Sequence, residues 1–226
     1  MSTDLTPVRS AANAAVPLSP ADFAAVLGGI PEHRVHRSPP PGTADSGDWE
    51  AAFRRGEVCE LVEGTLVGKD MGFYESIIAG YLIRRFSEAS GDGRLGLTSG
   101  EQGFIELPGG QILAPDVAFY LWSSLPEGFN RRHKRPRIRP DIAVEVLSED
   151  NTIAEMDRKR RELFDAGTSI VWMVDPTART VAVYRTVGDV EVCDTDATVD
   201  GGGILPDLKV SIADMFSEIH GGRRDG

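Results

Sequence analysis

Two carboxylates interrupt stretches of sequence that otherwise have the apolar character of β-strands. Asp116 stands just inside the alternating apolar run of "APDVAFY", and Glu145 stands in the middle of "RPDIAVEVLS". A carboxylate that is buried in a sheet without a partner would protonate or destabilise the fold. It therefore needs a cationic side chain, a hydrogen-bond network or a metal ion. Two such carboxylates on neighbouring strands favour a site for a hard cation, Mg²⁺ or Mn²⁺.

Each carboxylate also has an ordinary structural explanation. Aspartates are common at strand ends, and this explanation suits Asp116, taken alone, better than a metal ligand does. A single Glu in a strand often faces solvent. Glu145, however, has apolar neighbours in sequence and, by strand alternation, apolar neighbours on its own face. For Glu145 the two explanations are about equally good.

The loop between these two strands carries the densest run of positive charge in the chain. "RRHKRPRIR" (131–139) holds six Lys and Arg residues, and we expect Arg131, Arg132, Lys134 and Arg135 to contact phosphates beside a metal. A solvated loop is an equally good interpretation. The net charge of −11 excludes a general polyanion binder, because phosphate contacts need local Lys and Arg. A nucleic-acid partner must therefore be bound by a local basic patch.

Other reactive side chains give weaker signals. His33 and His36 have the spacing H-x-x-H, but no third ligand is evident, so a metal site is not favoured there. Glu60 and Glu63 lie on or beside a predicted hairpin, in which Glu63 suits the turn. The sequence has no P-loop, G-x-S-x-G or C-x-x-C motif. A hydrolase that works through a side-chain nucleophile therefore has no motif to support it.

The composition is that of one globular domain. The chain has 226 residues, 41% of them apolar and 26% charged, which suits one domain with a substantial core. No run approaches the roughly 18 apolar residues of a membrane helix, and the N-terminus lacks the features of a signal peptide. Cys59 and Cys193 are the only cysteines. Because two thiols do not make a disulfide framework, we expect a cytoplasmic protein.

The N-terminal quarter of the chain has little regular pattern. Residues 1–57 are predicted to be an extension and linker, partly disordered, with a helix at 19–30 that begins after Ser19 and stops at Gly28-Gly29. A short helix is predicted around "DWEAAFRRG". "CELVEGTLVG" (59–68) then alternates around a Glu-Gly pair and predicts a hairpin.

Helical and strand patterns follow one another through the remainder. Apolar residues recur every four positions over 73–90, which predicts a helix. "GFIEL" and "QILAPDVAFYL" predict two strands joined by a Pro-Gly-Gly turn, and "DIAVEVLS" predicts another strand. Thr152 and Glu155 form a capping box at the start of a helix that ends at Ala166-Gly167. The apolar stripe of that helix is predicted to be Ile153, Met156, Leu163 and Phe164. Two more strands, "SIVWMVD" and "TVAVYRT", complete a mixed sheet with helices against it, an α/β or α+β domain.

The order of these segments resembles a known family. "PD" followed by a long gap and an acid in a hydrophobic strand is similar to the PD-(D/E)xK nuclease signature. "CELVEGTLV", "APDVAFY", "RPDIAVEVLSEDNT", "MDRKRRELFDAGTSIVWMVDPTARTVAVYR" and "LPDLKVSIADMF" resemble, in order, the segments of the Uma-two family of restriction-endonuclease-like proteins. The resemblance covers about residues 58–216, which we take as the domain, and leaves 217–226 as a flexible tail.

The resemblance implies a restriction-endonuclease-like core: a helix, a three-stranded meander, a second helix and a further strand. Asp116 would lie on the second strand of the meander and Glu145 on the third, with the helices at 73–90 and 153–166. The implied activity is metal-dependent hydrolysis of phosphodiester bonds in DNA, with Mg²⁺ or Mn²⁺ as the cofactor. A homodimer is compatible with it, and a nuclease fold that has lost catalysis and serves as a binding or accessory protein is the alternative.

Two positions depart from the wider pattern. The lysine expected two residues after the strand acid is Leu147 here, and the family resemblance implies that a helix lysine, Lys159, replaces it. Members of the family often have a histidine near the start of the first helix, and this chain has Glu75 at that position. Many relatives in the wider superfamily carry a glutamate on this helix that supports the metal. The resemblance therefore implies Asp116, Glu145 and Lys159 as catalytic residues, with Glu75 as a third metal ligand.

Overall fold

The structure is a computed structural model that describes residues 27–219, with side chains up to residue 217. Most of the helix predicted at 19–30, including its cap at Ser19, lies outside the described residues. Its end is visible: Leu27 is helical, and Gly28 and Gly29 follow at φ of 74° and 71°. A Cβ on Gly28 would lie 2.5 Å from the backbone nitrogen of Glu155, so only glycine permits this close contact with the later helix.

Helices and strands alternate through the described part of the chain. Its four α-helices are α1 (Ser46–Arg54), α2 (Phe73–Ala89), α3 (Ile153–Asp165) and α4 (Ile212–Ile219). Its first six strands are β1 (Cys59–Val62), β2 (Thr65–Gly68), β3 (Gly96–Gly100), β4 (Ile105–Glu106), β5 (Ile112–Leu113) and β6 (Val117–Leu121). The other six are β7 (Ile142–Val146), β8 (Ile170–Asp175), β9 (Thr180–Tyr184), β10 (Val190–Cys193), β11 (Thr198–Gly201) and β12 (Leu205–Ser211).

A six-stranded mixed sheet forms the centre of the molecule. Its order is β10-β9-β8-β7-β6-β3, in which β7 and β8 are parallel and the other neighbours antiparallel. Strands β3, β6 and β7 make the meander, and α3 is the crossover to β8. The predicted mixed α+β fold and the predicted core order are therefore confirmed.

Helices cover both faces of this sheet. Ile142, Val144 and Val146 of β7 pack in one apolar cluster with α2 and α4, and Ala143 packs with Leu163 of α3 in another. Alternation along β7 separates these two sets, as the sequence predicted. Because both faces are covered, every residue of β7, including its glutamate, is buried.

A second sheet, of order β2-β1-β5-β4, packs with α1. Trp49 of α1 is buried, and its indole N–H donates to the Cys59 carbonyl at 2.7 Å. Its ring also packs edge-on against Phe104, with centroids 5.0 Å apart. The short helix predicted near residue 50 is thus confirmed, and it belongs to a core cluster rather than to a linker.

The chain changes sheets immediately before Asp116. The single strand predicted for "QILAPDVAFYL" is two strands, β5 in the small sheet and β6 in the central one, with Pro115 between them. Proline has no N–H to donate to a strand ladder, so it favours a break at this point. Strand β3, the first of the meander, was not predicted, because "GLTSG" lacks apolar alternation. Gly96 is required there, since a Cβ would lie 2.1 Å from the Tyr120 carbonyl oxygen.

Helix α3 has the predicted cap but a different buried face. The capping box of Thr152 and Glu155 is present. Ile153, predicted in the apolar stripe, is 86% exposed, and the fully buried line is Glu155, Lys159 and Leu163. The prediction for Ile153 was wrong because the buried face lies to one side of the apolar stripe, where Glu155 and Lys159 find buried partners for their charges. Within residues 27–219, no helix is both long and apolar enough to cross a membrane.

Candidate active site: a buried cluster of carboxylates and lysines

Five ionisable side chains from five parts of the fold meet beside the small sheet. We call them the carboxylate–lysine cluster, and its members are Glu60 of β1, Lys69 after β2, Asp116 before β6, Glu145 of β7 and Lys159 of α3. Each of these side chains is at most 9% exposed. Charges removed from water in this way must compensate one another, because an unpaired buried charge is costly.

Asp116 is held through both carboxylate oxygens. Its Oδ1 lies 2.6 Å from the ammonium nitrogen of Lys69, and its Oδ2 accepts a hydrogen bond of 2.7 Å from the backbone N–H of Val146. The second bond ties the start of β6 to the end of β7. The carboxylate is thus fixed relative to the strand that carries Glu145.

Glu145 is held through one oxygen only. Its Oε2 accepts a hydrogen bond of 2.9 Å from Lys159, whereas its Oε1, although buried, has no hydrogen-bond partner among residues 27–219. Burial raises the pKa of the Glu145 carboxyl to about 7, against the opposing effect of the Lys159 and Lys69 ammonium groups. A buried oxygen without a donor is uncommon and marks a place where a further positive group or donor fits.

Lys159 bridges two carboxylates. Its ammonium nitrogen is 2.9 Å from Glu145 Oε2 and 2.9 Å from Glu60 Oε1. Burial opposes the ammonium charge, but Glu145 and Glu60 outweigh it and raise the pKa of Lys159. Burial also opposes ionisation of Glu60, yet Lys159 and Lys69 lower the pKa of Glu60 to about 2. The Lys159–Glu60 pair therefore stays charged.

Glu60 is oriented by the fold as well as by the lysine. Its Oε1 accepts a hydrogen bond of 3.0 Å from the backbone N–H of Ala114, in the segment where the chain leaves the small sheet. Glu60 thus places the Lys159 ammonium at a fixed position between the two sheets. Its role could have been anticipated, because an acid within the apolar "CELV" strand has the same pattern as Glu145.

The cluster borders a small cavity of about 20 Å³, which is about the space that one water molecule occupies. Besides the cluster, the half-buried Glu75 lines this cavity. The structure therefore brings Asp116, Glu145, Lys159 and Glu75 around one space. Glu75 lies near the N-terminus of α2, and its carboxylate folds back over Gly72, where a Cβ would be 2.1 Å from Oε2.

A larger groove of about 630 Å³ adjoins this cavity and shares Glu75, Ser148, Asn151 and Met156 with it. Beyond these residues the groove is bounded by α3 and by β8 and β9, with Tyr184 and Arg160 among its lining residues. A groove of this size is in the range of a small-ligand site. It gives the buried cluster a side that faces open space.

An additional buried ion pair supports the site. Arg34 donates to both carboxylate oxygens of Glu155, at 3.0 and 2.8 Å, and to the carbonyl oxygens of Gly68 and Asp150. It therefore joins the N-terminus of α3, which carries Lys159, to the end of β2, next to Lys69. Neither Arg34 nor Lys69 was anticipated, because both lie outside periodic segments and nothing local marks them.

The carboxylates of the cluster suit a cation that keeps part of its water shell better than a cation held entirely by protein ligands. Within the described residues, no group of three or more Asp, Glu, His or Cys side chains is arranged to hold a metal ion. Mg²⁺ is frequently bound by only one or two carboxylates and keeps several water molecules. Asp116 and the partnerless oxygen of Glu145 fit that kind of site.

The basic loop lies elsewhere on the surface. Arg135 is 13% exposed and pairs with Glu106 and, at 2.8 Å, with Glu50. The Arg131 guanidinium lies over the Trp122 ring, 4.7 Å from its centroid, and the Lys134 ammonium lies over the Phe53 ring, 5.4 Å from its centroid. Arg131 and Lys134 are both exposed. None of the four predicted phosphate contacts lines the cavity. The positive charge of Arg135 is already compensated, which leaves Arg131, Arg132 and Lys134 as the exposed cations among those four.

The two loop histidines do not form a joint site. His33 lies 3.5 Å from Asp150, and His36 lies 3.3 Å from Glu57. Each of the two histidines therefore has its own acidic neighbour. Glu63 occupies the hairpin turn with Gly64, at φ of 45° and 65°, so it is the turn residue that the pattern predicted.

Comparisons with known proteins agree with this architecture. The fold matches the crystal structure of a putative nuclease belonging to DUF820 from Anabaena variabilis ATCC 29413. The TM-score is 0.65 at 26% sequence identity, over 73% of this chain and 92% of that one. No curated protein matches the chain. The model of the Uma2 family, described as putative restriction endonuclease, matches residues 44–213, so this chain belongs to the Uma2 family.

Proposed function

We propose that the protein is an endonuclease that hydrolyses phosphodiester bonds in DNA with the help of Mg²⁺ or Mn²⁺. The observation that carries the proposal is the carboxylate–lysine cluster of a nuclease-like fold, in which Glu145 keeps one buried oxygen without a partner. Such an oxygen next to a second carboxylate suits a cation. Membership of the Uma2 family supports the nuclease activity.

The charge balance of the cluster favours this chemistry. Three carboxylates face two ammonium groups, which leaves one net negative charge when all five groups are ionised. A divalent cation would change that balance to one net positive charge, which matches the single negative charge of a phosphodiester. When bound, such a cation lowers the pKa of a coordinated water and stabilises the charge of the transition state.

The residues of the chain have separate tasks in this proposal. Asp116 and Glu145 hold the cation, with Glu75 beside them at the cavity. Lys159 stays protonated and donates to the attacking water or to a phosphate oxygen. Glu60 is a positioning residue, because it fixes the ammonium of Lys159 without itself facing the substrate. The Arg34–Glu155 pair holds α3, and therefore Lys159, in register with the strands.

A catalytically inactive nuclease fold is the alternative, and a specific observation favours it. Two of the three predicted metal-binding carboxylates, Asp116 and Glu145, already contact lysines, so the cluster is largely neutralised without a cation. The small volume of the cavity points the same way. In that case the domain would bind a partner without cleaving it.

Cleavage of supercoiled and single-stranded DNA in Mg²⁺ and Mn²⁺ tests the proposal. We expect the wild type to nick the plasmid, Asp116→Asn to abolish nicking, and Lys159→Met to reduce it at least about tenfold, or about 1.4 kcal/mol of barrier. Lys209→Met is the matched control, because Lys209 forms only an exposed pair with Asp200. Undiminished nicking by Lys159→Met would contradict its role. A wild-type protein that cleaves DNA with neither metal would favour the catalytically inactive alternative.

A further inference from the structure

We propose that Lys69 is a built-in counter-ion that occupies the cation's place at Asp116 until a divalent cation displaces it. This inference rests on the proposed function, because it concerns the same site. It assigns to Lys69 control over cation affinity, in addition to its structural contact. Lys69 lies in the segment that follows the β1–β2 hairpin, outside the helices and strands.

The two carboxylates of the site differ in how many of their oxygens have a partner, and the difference involves Lys69. Both oxygens of Asp116 are engaged, one by Lys69 at 2.6 Å and one by the Val146 N–H at 2.7 Å, whereas Glu145 has a buried oxygen with no partner in the described part of the chain. The Val146 bond belongs to the strand framework and cannot be released without moving β7. The Lys69 contact is made by a flexible side chain. A cation that joins Asp116 to Glu145 must therefore compete with Lys69.

Repulsion makes this competition severe. The Lys69 ammonium is hydrogen-bonded to Asp116 Oδ1, so a cation at that oxygen would have a positive charge as its near neighbour. Both side chains are at most 9% exposed, and little water can screen that repulsion. Cation binding at Asp116 therefore requires that the ammonium move away.

The fold provides a second partner for the displaced ammonium. Glu60, on the first strand of the same hairpin, lines the same small cavity as Lys69, and the Lys69 charge helps to lower the pKa of its carboxyl. Its Oε1 holds both Lys159 and the Ala114 N–H, and no contact of Oε2 competes within the cluster. Lys69 is also followed by the exposed Asp70, so its backbone lies at the edge of the buried region. The lysine can thus exchange Asp116 for Glu60, or for a phosphate of the substrate.

Calorimetric titration with Mn²⁺ tests this inference without any assay of cleavage. We expect Lys69→Met, which keeps the length of the side chain and removes the charge, to bind Mn²⁺ at least about tenfold more tightly than wild type. Lys69→Arg, which keeps the charge, should bind as weakly as wild type. Lys209→Met makes the same chemical change at the surface and should leave the affinity unaltered. Lys69→Met with wild-type or weaker affinity would overturn the inference.

Lys69→Met leaves Asp116 buried without its counter-ion, and the variant can lose stability for that reason. Thermal unfolding with and without Mn²⁺ covers this case. We expect Mn²⁺ to raise the midpoint of Lys69→Met more than that of wild type, because the cation replaces the missing charge. A variant that stays unfolded at saturating Mn²⁺ would overturn the inference.

The outcomes for Lys69 and for the proposed activity can be separated. A wild type that binds Mn²⁺ and cleaves DNA, with Lys69→Met binding no more tightly, removes the role of Lys69 alone. A wild type that neither binds nor cleaves, with Lys69→Met binding Mn²⁺, removes the proposed activity and supports the counter-ion. The second result would describe a nuclease fold that is kept inactive by its own lysine.

Discussion

Replacement of Arg34 by methionine should lower the free energy of unfolding by about 3–5 kcal/mol, which is the cost of removing one partner of a buried ion pair. Arg34 is 7% exposed and Glu155 is 2% exposed. The guanidinium makes four hydrogen bonds, two of them to the Glu155 carboxylate. Methionine fills most of the space but leaves that carboxylate and two carbonyl oxygens without their donor.

This loss is a large part of the about 5–15 kcal/mol that stabilises a typical domain. For a chain of this size it corresponds to a decrease of about 6–20 °C in the melting temperature. Arg37→Met is the matched control, because Arg37 pairs with Glu32 at 2.9 Å with side chains 77% and 85% exposed. Such an exposed pair contributes about 0–1 kcal/mol.

Urea denaturation followed by circular dichroism measures both variants under identical conditions. Addition of Glu155→Gln to Arg34→Met should recover part of the loss, because it removes the uncompensated buried charge. Stability of Arg34→Met equal to that of Arg37→Met would contradict this expectation, and so would a double variant that is less stable than Arg34→Met alone.

Two further predictions concern charge at the surface and a buried thiol. Replacement of Arg131, Arg132 and Lys134 by glutamine should reduce the slope of log affinity for DNA against log salt concentration, whereas Arg135→Gln should change mainly stability, because its charge is compensated internally. Equal slopes for wild type and the triple variant would show that the loop is solvated and does not contact the phosphates of DNA. Burial raises the pKa of the Cys59 thiol from 9.0 to about 11, so the stability that Cys59 contributes is complete below pH 9 and is lost as the pH rises through 11. Between pH 8 and pH 11 the wild type should lose about 2 kcal/mol more than Cys59→Ala in urea denaturation, and an equal loss in both would contradict the raised pKa.

The central features of the fold could be predicted because they leave periodic or local patterns in the sequence. Alternation in "DIAVEVLS" separates the two buried faces of β7, and the four-residue recurrence of apolar side chains places α2 against the sheet. The capping box marks the start of α3, and the Glu-Gly pair marks the hairpin turn. Strand β3 was missed because its residues have no such pattern, and its place is decided by pairing with β6.

The same distinction applies to the candidate site. Asp116 and Glu145 stand out in the sequence because a carboxylate interrupts an apolar run, and the family resemblance indicates Lys159. Alternation shows that a side chain is buried, but it does not show what compensates its charge. That is decided by residues far apart in the chain, such as Lys69, which is 47 positions from Asp116.

Apolar runs in the sequence show which carboxylates need a partner, but the packing of distant segments sets the identity of each partner. Glu60 meets Lys159 only because the hairpin of the small sheet packs beside α3, and Arg34 meets Glu155 across 121 positions of sequence. Each of these ion pairs joins two residues that are far apart in the sequence, so no local period predicts it. They form because a buried charge is stable only beside an opposite one, and folding brings these residues together.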